Sequence, residues 1–167
     1  GKAADLGVGQ GTEGLGTDSA VDPSSFTGAD GAFTLEALVN VATISATDPQ
    51  QIVCMEVNND GGRTFQFRFD TNGDLHFIHF TPAGLIEQHR TPIPTTGDHG
   101  FVAGDWFHVA VTYNGDPADS ENLKFYWTRA DAPTTSAHLI GTSQMSDDLK
   151  TGVTAPFTIG NDGRNVG

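Results

Sequence analysis

The feature that most constrains this chain is a period of two. In FTLEALVNV the residues Phe33, Leu35, Ala37, Val39 and Val41 fall on one side of an extended backbone, and in FQFRF the residues Phe65, Phe67 and Phe69 oppose Gln66 and Arg68. WFHVAVTY sets Phe107, Val109, Val111 and Tyr113 against Trp106, His108, Ala110 and Thr112, and LKFYWTR sets Leu123, Phe125 and Trp127 against Lys124, Tyr126 and Thr128. A helix would repeat every 3.6 residues, so these are strands with one face toward a core. Weaker strand signals are AADL, QIVCMEV, LHFIHF, LIEQH, HLIG and FTIG. The least regular segments run from Gly7 to Gly31 and from Thr134 to Pro156. With Gly 21 and Pro 8 in 167 residues, long helices are disfavoured, and the length suits one domain spanning residues 1–167.

Turn signals separate the strands: NNDGGR, TNGD, TPAG, TTGDHG, YNGDPADSEN and RADAP. One of them has two readings. DTNGD, Asp70 to Asp74, places acceptor side chains at alternate positions, as does the start of a helix-loop-helix calcium loop. Such a loop needs Gly at its sixth position and Glu at its twelfth, where this chain has Leu75 and Thr81. Alternating strands stand on both sides, so the segment is read as a β-hairpin, with Asn72-Gly73 at the centre of a type I′ turn.

Twenty-one acidic against eight basic residues leave a net charge of −13. That charge repels phosphate backbones and anionic lipid surfaces, which argues against nucleic acid and membrane as partners, and it attracts cations. No run of about 18 apolar residues is available for a membrane span. The chain opens GKAAD with neither Met nor a charged-then-apolar leader, so it is expected to be processed or cut from a longer protein. Cys54, the one cysteine, lies in an apolar run and reads as a small buried hydrophobe. No Asn fits the N-x-Ser/Thr acceptor pattern.

Taken in order, the strands resemble a known family. FTLEALVNV is similar to the FT-[IL]-E-A-W-V strand of laminin G-like, concanavalin A-like jelly-roll domains, with Leu38 in place of the usual Trp. DWFHVAVTYNG resembles their W-x-H-V-A-x-T-Y-[DN]-G strand and turn; LKFYWTR, FTIGN and GKAADLG fall where the family has its L-x-[LF]-Y, L-x-I-G and G-K-A-L elements. The resemblance implies an all-β, antiparallel two-sheet jelly-roll sandwich, in extracellular or cell-surface proteins of adhesive, glycan-binding or structural role. It also implies a closing strand after the I-G strand, for which the chain has no matching segment before Gly167. An open edge of this kind would be completed either by further residues of a longer protein or by a strand from a neighbouring subunit.

Laminarinase-type relatives carry two catalytic Glu on one strand, whereas Glu13, Glu36, Glu56, Glu87 and Glu121 are well separated here. GQGTEG, Gly9 to Gly14, matches a nucleotide-binding spacing but lacks the flanking strand and helix, and is read as loop. His76 and His79 are three apart in a strand and so face opposite ways, one expected partly buried and one solvated, which does not make a zinc site. His108 matches the family's own His and reads as structural. One structural calcium is expected from the family and from the excess of Asp, with no ligands assigned. The NDGGR and NDGR loops bring carboxylate, amide and guanidinium groups to turn positions that suit a sugar, and the same residues suit turn geometry alone. Trp106 is placed in the core, and Trp127 is the candidate for an exposed stacking platform. The expectation is a non-catalytic extracellular or cell-surface module of a bacterial protein, adhesive or structural. Its candidate glycan contacts are Asn59, Asp60, Arg63, Trp127, Asn161, Asp162 and Arg164. Two other classes stay open: a subunit of a self-assembling filament or surface layer joined by strand donation, and a glycoside hydrolase with an atypical site.

Overall fold

Each alternating segment forms a strand in the computed structural model, which describes residues 15–16, 20–27, 31–57, 62–131 and 136–160. In chain order the strands are β1 (Leu15–Gly16), β2 (Phe33–Asn40), β3 (Gln50–Met55), β4 (Phe65–Phe69), β5 (Asp74–Phe80), β6 (Ile86–Pro92), β7 (Trp106–Tyr113), β8 (Leu123–Arg129), β9 (Leu139–Ser143) and β10 (Phe157–Ile159). A 3-10 turn at Pro23–Ser25, capped by the Asp22 side chain, precedes β2. The strands make two antiparallel sheets, one of six in the order β1-β10-β3-β4-β5-β6 and one of four in the order β2-β7-β8-β9. The period-two strands thus form a sandwich, and it is the two-sheet antiparallel jelly roll that the family resemblance implied. The expected AADL strand and the GQGTEG loop lie outside the described residues, as does the segment after Gly160 that bears on a closing strand.

Register assigns the faces. Phe65 pairs with His79, Phe67 with Phe77 and Phe69 with Leu75, so these six side chains turn inward from β4 and β5. A register shift in β3 between Gln51 and Val53 lets Ile52 and Val53 both be buried. Opposite them, Phe107, Val109 and Val111 of β7 and Leu123, Phe125 and Trp127 of β8 complete the core. Trp127 corrects an expectation: it is fully buried, stacked on Phe107 at 4.3 Å and edge-on to Phe69 at 6.2 Å. Its indole Nε1 donates to the His99 carbonyl at 2.8 Å, which satisfies the polar atom that burial would otherwise leave unpaired. Trp106, expected inside, is 40 % exposed on the opposite face of the four-stranded sheet.

The DTNGD segment is a hairpin, but its turn is not type I′, because Asn72 does not have positive φ. Gly73 N–H donates to the Asp70 carbonyl and Asp70 N–H to the Asp74 carbonyl, with Gly73 at φ 81°. This is a three-residue loop, a type I turn followed by a left-handed Gly. The β5–β6 hairpin repeats it, with Gly84 donating to Thr81, Thr81 to Leu85, and Gly84 at φ 80°. At the β6/β9 side, where the sheets approach closely, a Cβ on Gly141 would collide with the Thr91 side chain.

Gly73→Ala should cost about 1–2 kcal/mol, since it forces a Cβ into left-handed backbone with no clash to relieve. Asn72→Ala should stay within about 0.5 kcal/mol. Trp127→Ala should cost about 3–5 kcal/mol by leaving a cavity between the sheets. Urea unfolding of the three variants measures all of these, and equal losses for Asn72→Ala and Gly73→Ala would refute the turn assignment.

Candidate functional site

The pairing that buries the phenylalanines of β4 points Gln66 and Arg68 to the outer face of the six-stranded sheet. There they meet His76 and Ile78 of β5, Gln88 and Arg90 of β6, and Gln51 and Cys54 of β3. The result is a polar network on a sheet face. Arg90 Nε donates to His76 Nε2 at 3.3 Å and its terminal nitrogen to Gln88 Oε1 at 3.0 Å. The same nitrogen lies 3.4 Å from Asp70 Oδ2. Because an arginine nitrogen can only donate, Nε2 of His76 is the acceptor and its proton sits on Nδ1. That Nδ1 is 3.1 Å from Asp70 Oδ2, an electrostatic contact without hydrogen-bond alignment. Arg68 donates to Gln66 Oε1 at 2.7 Å and approaches Asp70 Oδ1 at 3.8 Å. Gln66 in turn donates to Glu56 Oε1 at 2.7 Å.

Burial governs the charges. It is the main reason that His76 is lowered from 6.5 to about 4, assisted by Arg68 and Arg90 and partly opposed by Asp70. Asp70 moves down: its own burial works against ionisation but is outweighed by the Thr71 N–H and by His76, Arg90 and Arg68. The imidazole is therefore neutral and Asp70 anionic at pH 7. Among the described residues of this face, the guanidinium groups of Arg63, Arg68 and Arg90 stand near two carboxylates, Glu56 and Asp70. Arg90 is half-exposed on the edge strand β6, with Asp70, His76 and Gln88 fixing its plane. A guanidinium held in this way offers a planar fork to a carboxylate or to paired hydroxyls.

Of the candidate contacts read from sequence, Arg63 belongs to this face. Its guanidinium lies over the Phe80 ring at 5.8 Å and its Nε is 3.9 Å from Glu56 Oε2. Asn59, Asp60, Asn161, Asp162 and Arg164 lie outside the described residues. Trp127 is withdrawn from the set, because its burial in the core leaves no face for a ligand. The structure adds Arg68, Asp70, His76, Gln88 and Arg90. Except for Asp70, which opens the β4–β5 turn, their signal was present as the polar positions of β4, β5 and β6, and it needed the cross-strand register to bring them together.

His76 and His79 do face opposite sides, but both are fully buried, whereas one was expected to be solvated. Cys54 is buried and faces Thr158, with Sγ 3.0 Å from the hydroxyl. His108 pairs with Glu36 at 3.1 Å on the outer face of the four-stranded sheet. A groove bounded by Phe26, Thr34, Leu35, Glu36, Val53 and Phe157 has one carboxylate, that same Glu36, in its lining.

A family model described as the concanavalin A-like lectin/glucanases superfamily, Laminin_G_3, matches residues 15–167. No curated protein matches the chain by sequence. Among solved structures, the CBM40 of the Ruminococcus gnavus IT-sialidase bound to α2,3 sialyllactose is similar with TM-score 0.55 at 10 % identity, over 92 % of this chain and 82 % of that one. The binding domain of Paraclostridial Mosquitocidal Protein 1 is similar with TM-score 0.51 at 14 % identity, over 87 % of this chain and 32 % of that one. The enzymatically active domain of bacteriophage CBA120 tailspike protein 2 gives TM-score 0.50 at 16 % identity, over 88 % of this chain and 20 % of that one. This chain thus spans about a third of the mosquitocidal protein's chain and a fifth of the tailspike's. At such identities the likeness is one of fold. With two antiparallel sheets and a family model covering nearly its whole length, the chain belongs to the laminin G-like family of the concanavalin A-like lectin/glucanases superfamily.

Proposed function

We propose that this chain is a non-catalytic glycan-binding module of a secreted or surface-attached protein, and that it holds sugar on the outer face of the six-stranded sheet around Arg90. The observation that carries this reading is the concentration of cations. In a chain of net charge −13, Arg63, Arg68 and Arg90 gather on one sheet face, Arg90 within a hydrogen-bonded network. Such a face suits an acidic sugar, whose carboxylate takes the Arg90 fork while its hydroxyls meet Gln88 and the neighbouring amides. A structural neighbour that is a carbohydrate-binding module bound to sialyllactose supports the ligand class.

The chemistry of the face argues against hydrolysis. Glycoside cleavage needs one carboxyl group raised enough to donate a proton, beside a second carboxylate about 5–9 Å away. Asp70 is lowered, which is the wrong direction for an acid, and Glu56 is tied to Gln66 and Arg63. Among the described residues no helix is long and apolar enough to cross a membrane.

Calorimetry with sialyllactose, glucuronate-containing oligosaccharides and neutral lactose tests the reading. Acidic sugars should bind and lactose should bind at least about tenfold more weakly, the worth of one charge-assisted contact. Arg90→Ala should remove that preference while the chain stays folded, at a cost of about 1–3 kcal/mol because buried His76 Nε2 loses its donor. Trp106→Ala should have no effect on binding. Binding lost in Trp106→Ala and kept in Arg90→Ala would move the site to the other sheet, and turnover of any of these sugars would overturn the non-catalytic reading.

A pH dependence follows from His76. Its pKa is lowered on folding from 6.5 to about 4, so the unfolded chain takes up the proton first as pH falls. The stability associated with the neutral imidazole is fully present above about pH 6.5 and is lost as the pH falls toward 4, at no more than about 1.4 kcal/mol per pH unit. Unfolding free energies measured from pH 7.5 to 4 should show this decline, and His76→Gln should flatten part of it. An unchanged slope in His76→Gln would mean that this histidine is not buried neutral.

A further inference from the structure

We propose that His79, Glu87 and His89 form a binding site for a divalent transition metal of the zinc type, at the side of the sandwich where the β5–β6 hairpin meets the segment after β9. The site is independent of the glycan reading, since its side chains turn to the inner face of the sheet and those of the arginine network turn outward.

The register builds it. His79 of β5 pairs directly with Glu87 of β6, and His89 lies two residues further along β6 on the same side, opposite Phe77. The rings of Phe77, His79 and His89 stack in succession, with centroids 5.9 Å and 5.6 Å apart and planes within 17° and 13° of parallel. Both imidazole Nε2 atoms converge on one carboxylate oxygen: each is 3.6 Å from Glu87 Oε2. One ligand atom from each of the three residues can be chosen so that all lie within 4.8 Å of one another. Tetrahedral zinc, with bonds of about 2.0–2.2 Å, sets its ligands about 3.3–3.6 Å apart, so modest side-chain rotation closes the set.

The polar accounting points the same way. His89 is 6 % exposed and its Nε2 has no hydrogen-bond partner, although it is aimed at the carboxylate. Its other nitrogen, Nδ1, is 2.9 Å from Ser143 Oγ. A hydrogen bond from Nδ1–H to Ser143 leaves the Nε2 lone pair for a metal, which is how ligating histidines are commonly oriented. Glu87 Oε2 accepts from Ser146 N–H at 2.9 Å, and His79 Nε2–H donates to the Asp147 carbonyl at 3.2 Å, a hydrogen bond that a metal at that nitrogen would replace. Two imidazoles and one carboxylate are a borderline donor set that favours zinc over calcium, which takes six to eight oxygens. A metal here would pin the β5–β6 hairpin to residues 143–147 across the side of the sandwich.

The test uses the full chain after chelator treatment. One equivalent of Zn²⁺ should bind and raise Tm by at least about 5 °C at saturating metal, while Ca²⁺ at the same concentration should not. Co²⁺ should give the intense visible bands of a tetrahedral site. His89→Ala and Glu87→Gln should each weaken Zn²⁺ binding at least tenfold and abolish the Co²⁺ bands, and His138→Ala, which alters the separate His99–His138 stack, should leave both unchanged. If His89→Ala does not fold, Glu87→Gln, whose side chain is 21 % exposed, decides. No binding by the unaltered chain, or binding that survives Glu87→Gln, overturns the proposal.

Discussion

The pairing of Phe67 with Phe77 is the constraint on which both faces of the larger sheet depend. With that register, Phe65, Phe67, Phe69, Leu75 and Phe77 are buried at under 5 % exposure, and Gln66, Arg68 and His76 are delivered together to the outer face. A slip of one residue on either strand would place that strand's polar half in the core and its aromatics in water. The hydrophobic core and the arginine network are therefore consequences of one ladder. The two hairpin loops that follow β4 and β5 hold it, since each closes with a type I turn and a left-handed glycine that admits a single offset between the strands it joins.

Closure between the sheets is specified on one side by size. Gly141 of β9 stands where any larger residue would strike Thr91 of β6, and Thr91 Oγ1 donates to the Ile140 carbonyl at 3.3 Å. Nearby, Asn122 donates to the Met145 carbonyl and accepts from the Met145 N–H, both at under 3 Å, which anchors the start of the long link from β9 to β10. At its start the link's backbone is held by side chains, Met145 N–H by Asn122 and Ser146 N–H by Glu87, and further on by isolated backbone pairs such as Val21 with Ala155 rather than by a continuous ladder. That arrangement brings Ser146 and Asp147 against Glu87 and His79.

Strands were legible wherever one face is apolar and the other polar. The alternation of LKFYWTR already put Trp127 with Leu123 and Phe125, and that of WFHVAVTY put Trp106 with His108 and Thr112 on the face away from the core. Both placements hold in the structure. The contrary expectation came from comparing positions with a family pattern, and burial followed the period instead. The type I′ assignment at Asn72-Gly73 failed for a different reason: the dipeptide suits two turn lengths, and Asp70 selects the longer by pairing with Asp74 through its backbone. The site residues were the least legible. Arg68, His76 and Arg90 come from three strands, and nothing local to any one of them reveals the other two.

His76 and His79 show why a spacing can be rejected as a metal site while both residues still matter. Three positions apart on β5, they must point to opposite faces, and so they cannot share an ion. Each instead finds its partners on the neighbouring strand, His76 with Arg90 and His79 with Glu87 and His89. A buried imidazole needs such a neighbour, because a lone neutral ring would leave a polar atom unpaired in the interior. β6 therefore has to answer β5 on both faces at once, which explains the order Glu87, Gln88, His89, Arg90, with its odd members turned to the sandwich and its even members to the solvent face. The polarity of β6, an edge strand in sequence terms, is not the mark of a weak strand; it is the requirement set by two buried histidines on the strand beside it.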